Sequence, residues 1–282
     1  MSQGEPRVHG IGIGYRFAMA ESTLASQVPE ISWLEVHPEN YVERGGRFRQ
    51  ALERARERWP FVTHGLTMGF GAVEPAEDAY VKPLKAFLHD LQVPWHSEHL
   101  CFSGADGVML HDLLPLPFTR EAVATAVQRI REARDRLELP IAIENISYYA
   151  EAGERDMSEL EFLLEVLERA DCKLLLDVNN VFVNSRNHGF DPQRYIDRMP
   201  EERVVQIHVA GHHVRKDDLI IDTHGEPVRE EVYDLLEYTL RRVGKVPVLL
   251  ERDQNFPPFA ELVAEVKRLD AIYVRATEGA CR

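Results

Sequence analysis

Short apolar runs of four to seven residues recur along the chain, each followed by polar residues and then by a stretch with apolar positions three and four apart. That alternation is expected of βα units. Eight runs read as strands: 8–13 (VHGIGI), 32–36 (SWLEV), 61–64 (FVTH), 93–99 (VPWHSEH), 141–145 (IAIEN), 173–178 (KLLLDV), 203–209 (RVVQIHV) and 246–251 (VPVLLE). The last two alternate least clearly. Helices are expected at 47–59, 79–92, 119–137, 158–170, 230–243 and 258–275, the span from Leu160 to Leu167 having the plainest apolar stripe. Thr119 and the pair Ser158/Glu161 supply start signals, the latter as a capping box. Pro60, Pro94, Pro140 and Pro247 stand at or just before strand starts, where a preceding helix must have ended. With no Gly/Ser linker, composition shift or internal repeat, eight such units over residues 1–282 predict a single α/β domain, a (β/α)8 TIM barrel. A doubly wound sheet is the fallback.

Composition narrows the function classes. The 33 basic against 47 acidic residues leave a net charge of −14, which repels phosphate backbones, and no Lys/Arg cluster offsets it, so nucleic acid is not an expected partner. No run approaches the length of a membrane span and the N-terminus lacks a signal-peptide pattern, so a cytoplasmic protein without a membrane partner is expected. Cys101, Cys172 and Cys281 have no paired spacing and fit a reducing compartment; Cys101, two residues after His99, reads as a buried structural thiol rather than a site residue.

Barrel chemistry sits at the C-terminal ends of the strands. Those positions are His64, His99, Glu144, Asp177, His208 and Glu251, with Asp222 and His224 in the long segment after the seventh strand. The second strand adds Glu35 and His37, with the barrel wall as the alternative direction for Glu35. Each alone has an ordinary explanation as a satisfied loop histidine or a helix-capping aspartate. Together, so many imidazoles and carboxylates on one rim repel one another or go unsatisfied unless cations join them. Mixed imidazole and carboxylate donors suit Fe, Mn, Zn or Co, and their number implies at least two ions. His96 and His99 are three apart in a strand and face opposite ways, so only His99 is taken as a ligand. His188, His212 and His213 read as loop residues, with substrate or outer contacts as the alternative. Gly10, Gly12 and Gly14 fail the dinucleotide fingerprint, since position 17 is Phe, and read as a strand with close backbone packing.

The ordered series THGLTMGFG, SEHLCF, DLLPLPFT, AIENISYY, LLLDVNNVFVNSRNHGFD, IHVAGHH, DTHGEPV and LLERD resembles the multinuclear non-haem iron-dependent oxidative enzymes, the family of the B subunit of methanobactin biosynthesis. Within that family it looks most like members that modify cysteines of copper-binding bufferin peptides. More distantly its ligand order is similar to xylose-isomerase-like barrels, including trinuclear zinc endonucleases acting at abasic sites. The resemblance implies a xylose-isomerase-like TIM barrel with metal ligands His64, His99, Glu144, Asp177, Asn180, His208, Asp222, His224 and Glu251. It centres catalysis on Glu144, Asp177 and Asn180, with Glu144 bridging two metals. Asn180 stands where the endonucleases have histidine, a substitution typical of the oxidative family. Also implied are two or three iron ions in mixed Fe(II)/Fe(III) states, dioxygen as co-substrate, a cysteine-containing precursor peptide as substrate and a small partner protein that recognises its leader. A zinc or manganese hydrolase or sugar isomerase on the same barrel is the principal alternative. A barrel that only binds a partner would predict gaps in the ligand set, and none are seen.

Overall fold

The structure, a computed structural model, describes residues 8–105, 108–150 and 152–278. Twelve strands and nine α-helices follow one another in the order β1 (Ile11–Gly14), α1 (Ala20–Ala25), β2 (Ile31–Val36), α2 (Gly46–Arg56), β3 (Phe61–Gly65), α3 (Asp78–Leu91), β4 (His96–His99), β5 (Phe102–Ala105) and β6 (Val108–Leu114) among the described residues. The chain continues with α4 (Arg120–Leu137), β7 (Ile141–Glu144), α5 (Glu159–Ala170), β8 (Lys173–Asp177), α6 (Val178–His188), α7 (Pro192–Asp197), β9 (Val204–Val209), β10 (His212–Val214), β11 (Ile220–Asp222), α8 (Glu230–Val243), β12 (Val248–Leu250) and α9 (Phe259–Glu278). Eight of the strands close a barrel in the order β1-β12-β9-β8-β7-β4-β3-β2, every pairing parallel. All eight expected strands are these, most of them trimmed by one to three residues. Among the described residues, no helix is long and apolar enough to cross a membrane.

Local signals act as expected. Thr119 Oγ1 accepts the Ala122 amide at 3.2 Å to start α4, and Ser158 and Glu161 complete the capping box of α5. Two β-hairpins, β5–β6 after β4 and β10–β11 after β9, are additions to the eight-unit plan, and α6 with α7 forms the connection from β8 to β9, where no helix is expected from the sequence.

Strand alternation divides the core in two. Ile11, Ile13, Leu34, Val36, Phe61, Ile141, Ile143, Leu174, Leu176, Ile207, Val209, Val248 and Leu250 face the helices and belong to the large apolar cluster. The other parity faces the lumen. At its base, Val8, Trp33, Val62 and Leu249 form a separate small cluster against Trp95. Two residues further along the same strands, the lumen positions become Glu35, His64 and Glu251. The glycines of the first strand make room for this lumen: a Cβ on Gly12 would stand 2.4 Å from the Trp33 ring, and one on Gly14 would stand 2.9 Å from the Arg16 guanidinium.

Candidate metal centre

The lumen-facing ends of the strands converge. His64 (β3), His99 (β4) and Glu144 (β7) form one group whose potential ligand atoms all lie within 4.8 Å of one another. Glu144, Asp177 and His208 form a second such group, and Asp177, His224 and Glu251 a third. Consecutive groups share a carboxylate, first Glu144 and then Asp177, so the three form a chain of adjoining pockets. Asp222 joins the far end, with Oδ1 2.9 Å from His224 Nε2. Asn180 lies beside Asp177, its side chain buried and its Nδ2 donating to Asn145 O at 3.1 Å. All nine residues expected from the sequence therefore lie on one rim of the barrel.

Each is placed by a local device. The four-residue β4 sets His99 toward His64, with Nε2 atoms 3.1 Å apart, while His96 turns outward and meets Thr63 Oγ1 at 3.0 Å. His64 Nδ1 is held by Ser97 Oγ at 2.9 Å. Asp177 serves two purposes: Oδ1 caps α6 by accepting the Asn180 amide at 2.6 Å, while Oδ2 is buried and accepts no hydrogen bond. Asp222 arrives on the β10–β11 hairpin. His224 follows with φ +49, a backbone region costly for a non-glycine residue, and is fixed by Asp253 Oδ2 at 3.0 Å from its Nδ1.

Four further residues complete the lining. Glu35 faces the lumen rather than the wall: its Oε2 lies 3.0 Å from His208 Nε2 and accepts from Gln206 Nε2 at 2.6 Å. His37 and Asp253 form a ligand-competent group with Glu251, and His37 Nδ1 lies 2.8 Å from the His64 carbonyl oxygen. Arg16 donates to Glu251 at 3.1 Å and to Asp253 at 2.7 Å, and is itself buried. Asp253 shares the parity of Glu251, a signal present in LLERD; Arg16 lies beyond the end of its strand and carried none. His188 ends α6 and stacks on Tyr148, and Cys101 and Cys172 are buried thiols pushed up by burial, whereas Cys281 lies outside the described residues.

Without a cation, burial and mutual charge drive neighbouring groups of the centre in opposite directions. Burial would raise the Glu144 carboxyl, but His64 and His99 outweigh it and hold it below the usual carboxylate range. Asp177, one pocket along, is pushed well up by burial and by the charges of Glu144 and Asp222. His64, despite burial, is raised to about 9 by Glu144, whereas His99 is lowered to about 4 by burial and by the charge of His64. Neighbouring groups of one chemical type are thus driven in opposite directions. Cations would remove the conflict, since a metal holds carboxylates ionised and imidazoles neutral at once. The free Asp177 Oδ2 and the buried, unpartnered Asn180 Oδ1 point the same way, and the nitrogen and oxygen donor set fits iron, manganese or zinc.

Residues 10–274 match the family described as RiPP precursor modification enzyme MbnB/TglH/ChrH. The chain belongs to this family. Similar family relatives include a UPF0276 protein of Nitrosospira multiformis, 42% identical over 97% of this chain and 96% of that protein. A UPF0276 protein of Pseudomonas aeruginosa is also 42% identical, over 98% of this chain and 96% of its own length. Among solved structures the chain resembles an L-ribulose 3-epimerase (TM-score 0.60, 13% identity, 97% of this chain and 95% of that one). It is similarly close to a xylose isomerase-like TIM barrel of Mycobacterium smegmatis in complex with magnesium (TM-score 0.61, 10% identity, 95% of this chain and 98% of that one). At these identities the structural likeness shows the fold alone, a xylose-isomerase-like TIM barrel.

Proposed function

We propose that this family member is a multinuclear iron-dependent oxidase that uses dioxygen to modify cysteine residues of a ribosomally synthesised peptide. The observation that carries the reading is the row of three ligand groups joined by Glu144 and Asp177, in a chain of a family that modifies RiPP precursors. His64, His99 and Glu144 would hold one iron; Glu144, Asp177, His208 and Asn180 a second; Asp177, Asp222, His224 and Glu251 a third where three are bound. When bound, the irons supply a Lewis-acidic site for the substrate thiolate and the electrons and open positions that dioxygen needs.

The chain's own residues do the rest. Glu144 and Asp177, each shared by two adjoining ligand groups, would hold neighbouring ions side by side. Arg16 neutralises part of the excess carboxylate charge, holding Glu251 and Asp253 in fixed orientations. Ser147 Oγ and the half-exposed Tyr149, whose hydroxyl oxygen accepts the Asp222 amide at 2.9 Å, stand at the mouth beside Asp222 and present hydroxyls to an incoming peptide. Heterocycle formation fits a four-electron oxidation: four electrons and four protons leave the peptide, and one dioxygen takes them up as two waters. A small partner protein that holds the peptide leader is part of this reading, as is action in the cytoplasm.

The test is incubation of iron-loaded protein with a cysteine-containing precursor peptide and its partner under air, followed by mass spectrometry. Loss of hydrogen mass confined to cysteine residues, absent without oxygen and absent for Glu144→Ala, is expected. A Glu144→Ala protein that retains full iron and full activity would refute the assignment.

A further inference from the structure

Asp222 is the one proposed ligand carried by an inserted hairpin rather than by the barrel, so something must fix its carboxylate relative to the rim. Its shortest side-chain hydrogen bond to the barrel is from Asn179, whose Nδ2 donates to Asp222 Oδ1 at 2.8 Å. Asn179 Oδ1 in turn lies 2.8 Å from His212 Nδ1. Asn179 and His212 are fully buried. Hairpin register pairs His212 directly with Asp222, so one strand pair delivers both ends of the chain of bonds. The imidazole is clamped from the side by Phe182 of α6, with ring centroids 5.3 Å apart and planes 21° apart.

We infer that Asn179 and His212 are a positioning pair that aims the Asp222 carboxylate into the metal centre, an inference that rests on Asp222 being a metal ligand. The polarity of the bonds has only one consistent solution. A carboxylate accepts hydrogen bonds and never donates, so Asn179 must turn its NH2 toward Asp222 and its oxygen toward His212. His212 must then carry its proton on Nδ1. Its Nε2 makes no hydrogen bond and bears the lone pair of a neutral ring, which is the arrangement that leaves no buried N–H without an acceptor. Burial and the nearby Arg229 lower this imidazole to about 4, in keeping with a neutral ring. His212 therefore works as a fixed donor that keeps the amide from flipping, and the amide presents a fixed N–H to Asp222. Outer hydrogen bonds of this kind hold ligating carboxylates in orientation, and their loss typically weakens a metal by about 10- to 100-fold. A merely structural role would instead weaken the whole fold and spare the ions, or weaken all of them alike.

The experiment is an anaerobic Fe(II) titration read as iron retained per chain by elemental analysis, together with the thermal midpoint of each variant. Asn179→Ala is expected to weaken one iron by about 10- to 100-fold, Asp222→Ala, which removes the ligand itself, to weaken the same ion at least as much, and both to leave the ion at His64, His99 and Glu144 unchanged. His212→Phe, which keeps a ring against Phe182 and removes the donor, should weaken the same ion. His212→Asn, whose side-chain N–H falls where Nδ1 stood, should restore it. Wild-type affinity for every ion in folded Asn179→Ala, alongside the loss in Asp222→Ala, overturns the positioning role and leaves the metal centre standing. If Asn179→Ala does not fold, equal affinities for His212→Phe and His212→Asn overturn it instead. Unchanged iron in Asp222→Ala overturns the assignment of Asp222 as a ligand, and this inference with it.

Discussion

Arg16→Met removes a fixed positive charge that touches the centre. The methionine keeps most of the apolar stem, so the change isolates the guanidinium. In the structure that group bridges Glu251 at 3.1 Å and Asp253 at 2.7 Å, with side-chain exposures of 9% for Arg16, 4% for Glu251 and 37% for Asp253. Breaking a buried pair by deleting one partner costs about 3–5 kcal/mol, because the other charge is left uncompensated. Only the Glu251 end is buried, and it keeps His208 Nδ1 at 3.0 Å as a second partner, so the loss there falls below that range; Asp253 is solvated enough for its share to fall to about 1 kcal/mol or less. A loss of about 2 kcal/mol in the metal-free protein is therefore expected. A bound divalent ion changes the sum, since the site has gained one unit of net negative charge and should hold the ion about tenfold more tightly, returning about 1.4 kcal/mol. Urea unfolding of wild type and Arg16→Met, with and without saturating Fe(II) under anaerobic conditions, measures both quantities. An equal loss with and without metal would refute the placement of Arg16 as a counter-charge to a cation-binding site. A loss below about 1 kcal/mol in the metal-free protein would refute the burial argument.

Two other outcomes concern a buried carboxyl and a close-packed glycine. Glu159 is a partly buried carboxyl that receives Tyr195 Oη at 3.2 Å and is pushed up to about 7 by burial in spite of its hydrogen bonds. The folded protein then holds a proton that the unfolded chain, titrating near 4.5, has released, so stability should fall as pH rises from about 4.5 to 7. Allowing for partial exposure the fall is about 1–2 kcal/mol, and Glu159→Gln should flatten that part of a stability–pH profile; an unchanged slope would contradict the assignment. Gly12→Ala should destabilise by about 2 kcal/mol in chemical denaturation, because its Cβ would stand 2.4 Å from the fully buried Trp33 ring, and a variant as stable as wild type would show that the lumen base is loosely packed.

The sequence spoke most clearly where period and chemistry coincided. All eight barrel strands were legible because apolar runs, prolines at the starts of four of them and capped helices pointed the same way. Six of the nine expected ligands meet because strand ends on the lumen parity share one rim, while Asn180 comes from α6 and Asp222 and His224 come from the hairpin and the segment after it. What escaped had weaker or conflicting local signals. Helix α6 reads VNNVFVNSRNH, rich in asparagine and β-branched residues, and forms because Asp177 caps it and its buried face packs. The β10–β11 hairpin has strands of three residues each, HHV and IID, too short for alternation to register. Glu35 was ambiguous because a glutamate in the middle of a strand is costly inside a barrel unless partnered, and its partner, His208, is 173 residues away. Arg16 and Asp253 depend on the same kind of distant meeting, 237 positions apart.

The most direct measurement is elemental analysis with Mössbauer spectroscopy on protein produced in iron-rich medium and purified without oxygen. Two or three irons per chain, part ferrous and part ferric, are expected, with the count falling in Glu144→Ala and Asp177→Ala. Stoichiometric zinc with no bound iron after growth in iron-rich medium would contradict an oxidative centre and place the hydrolase reading first.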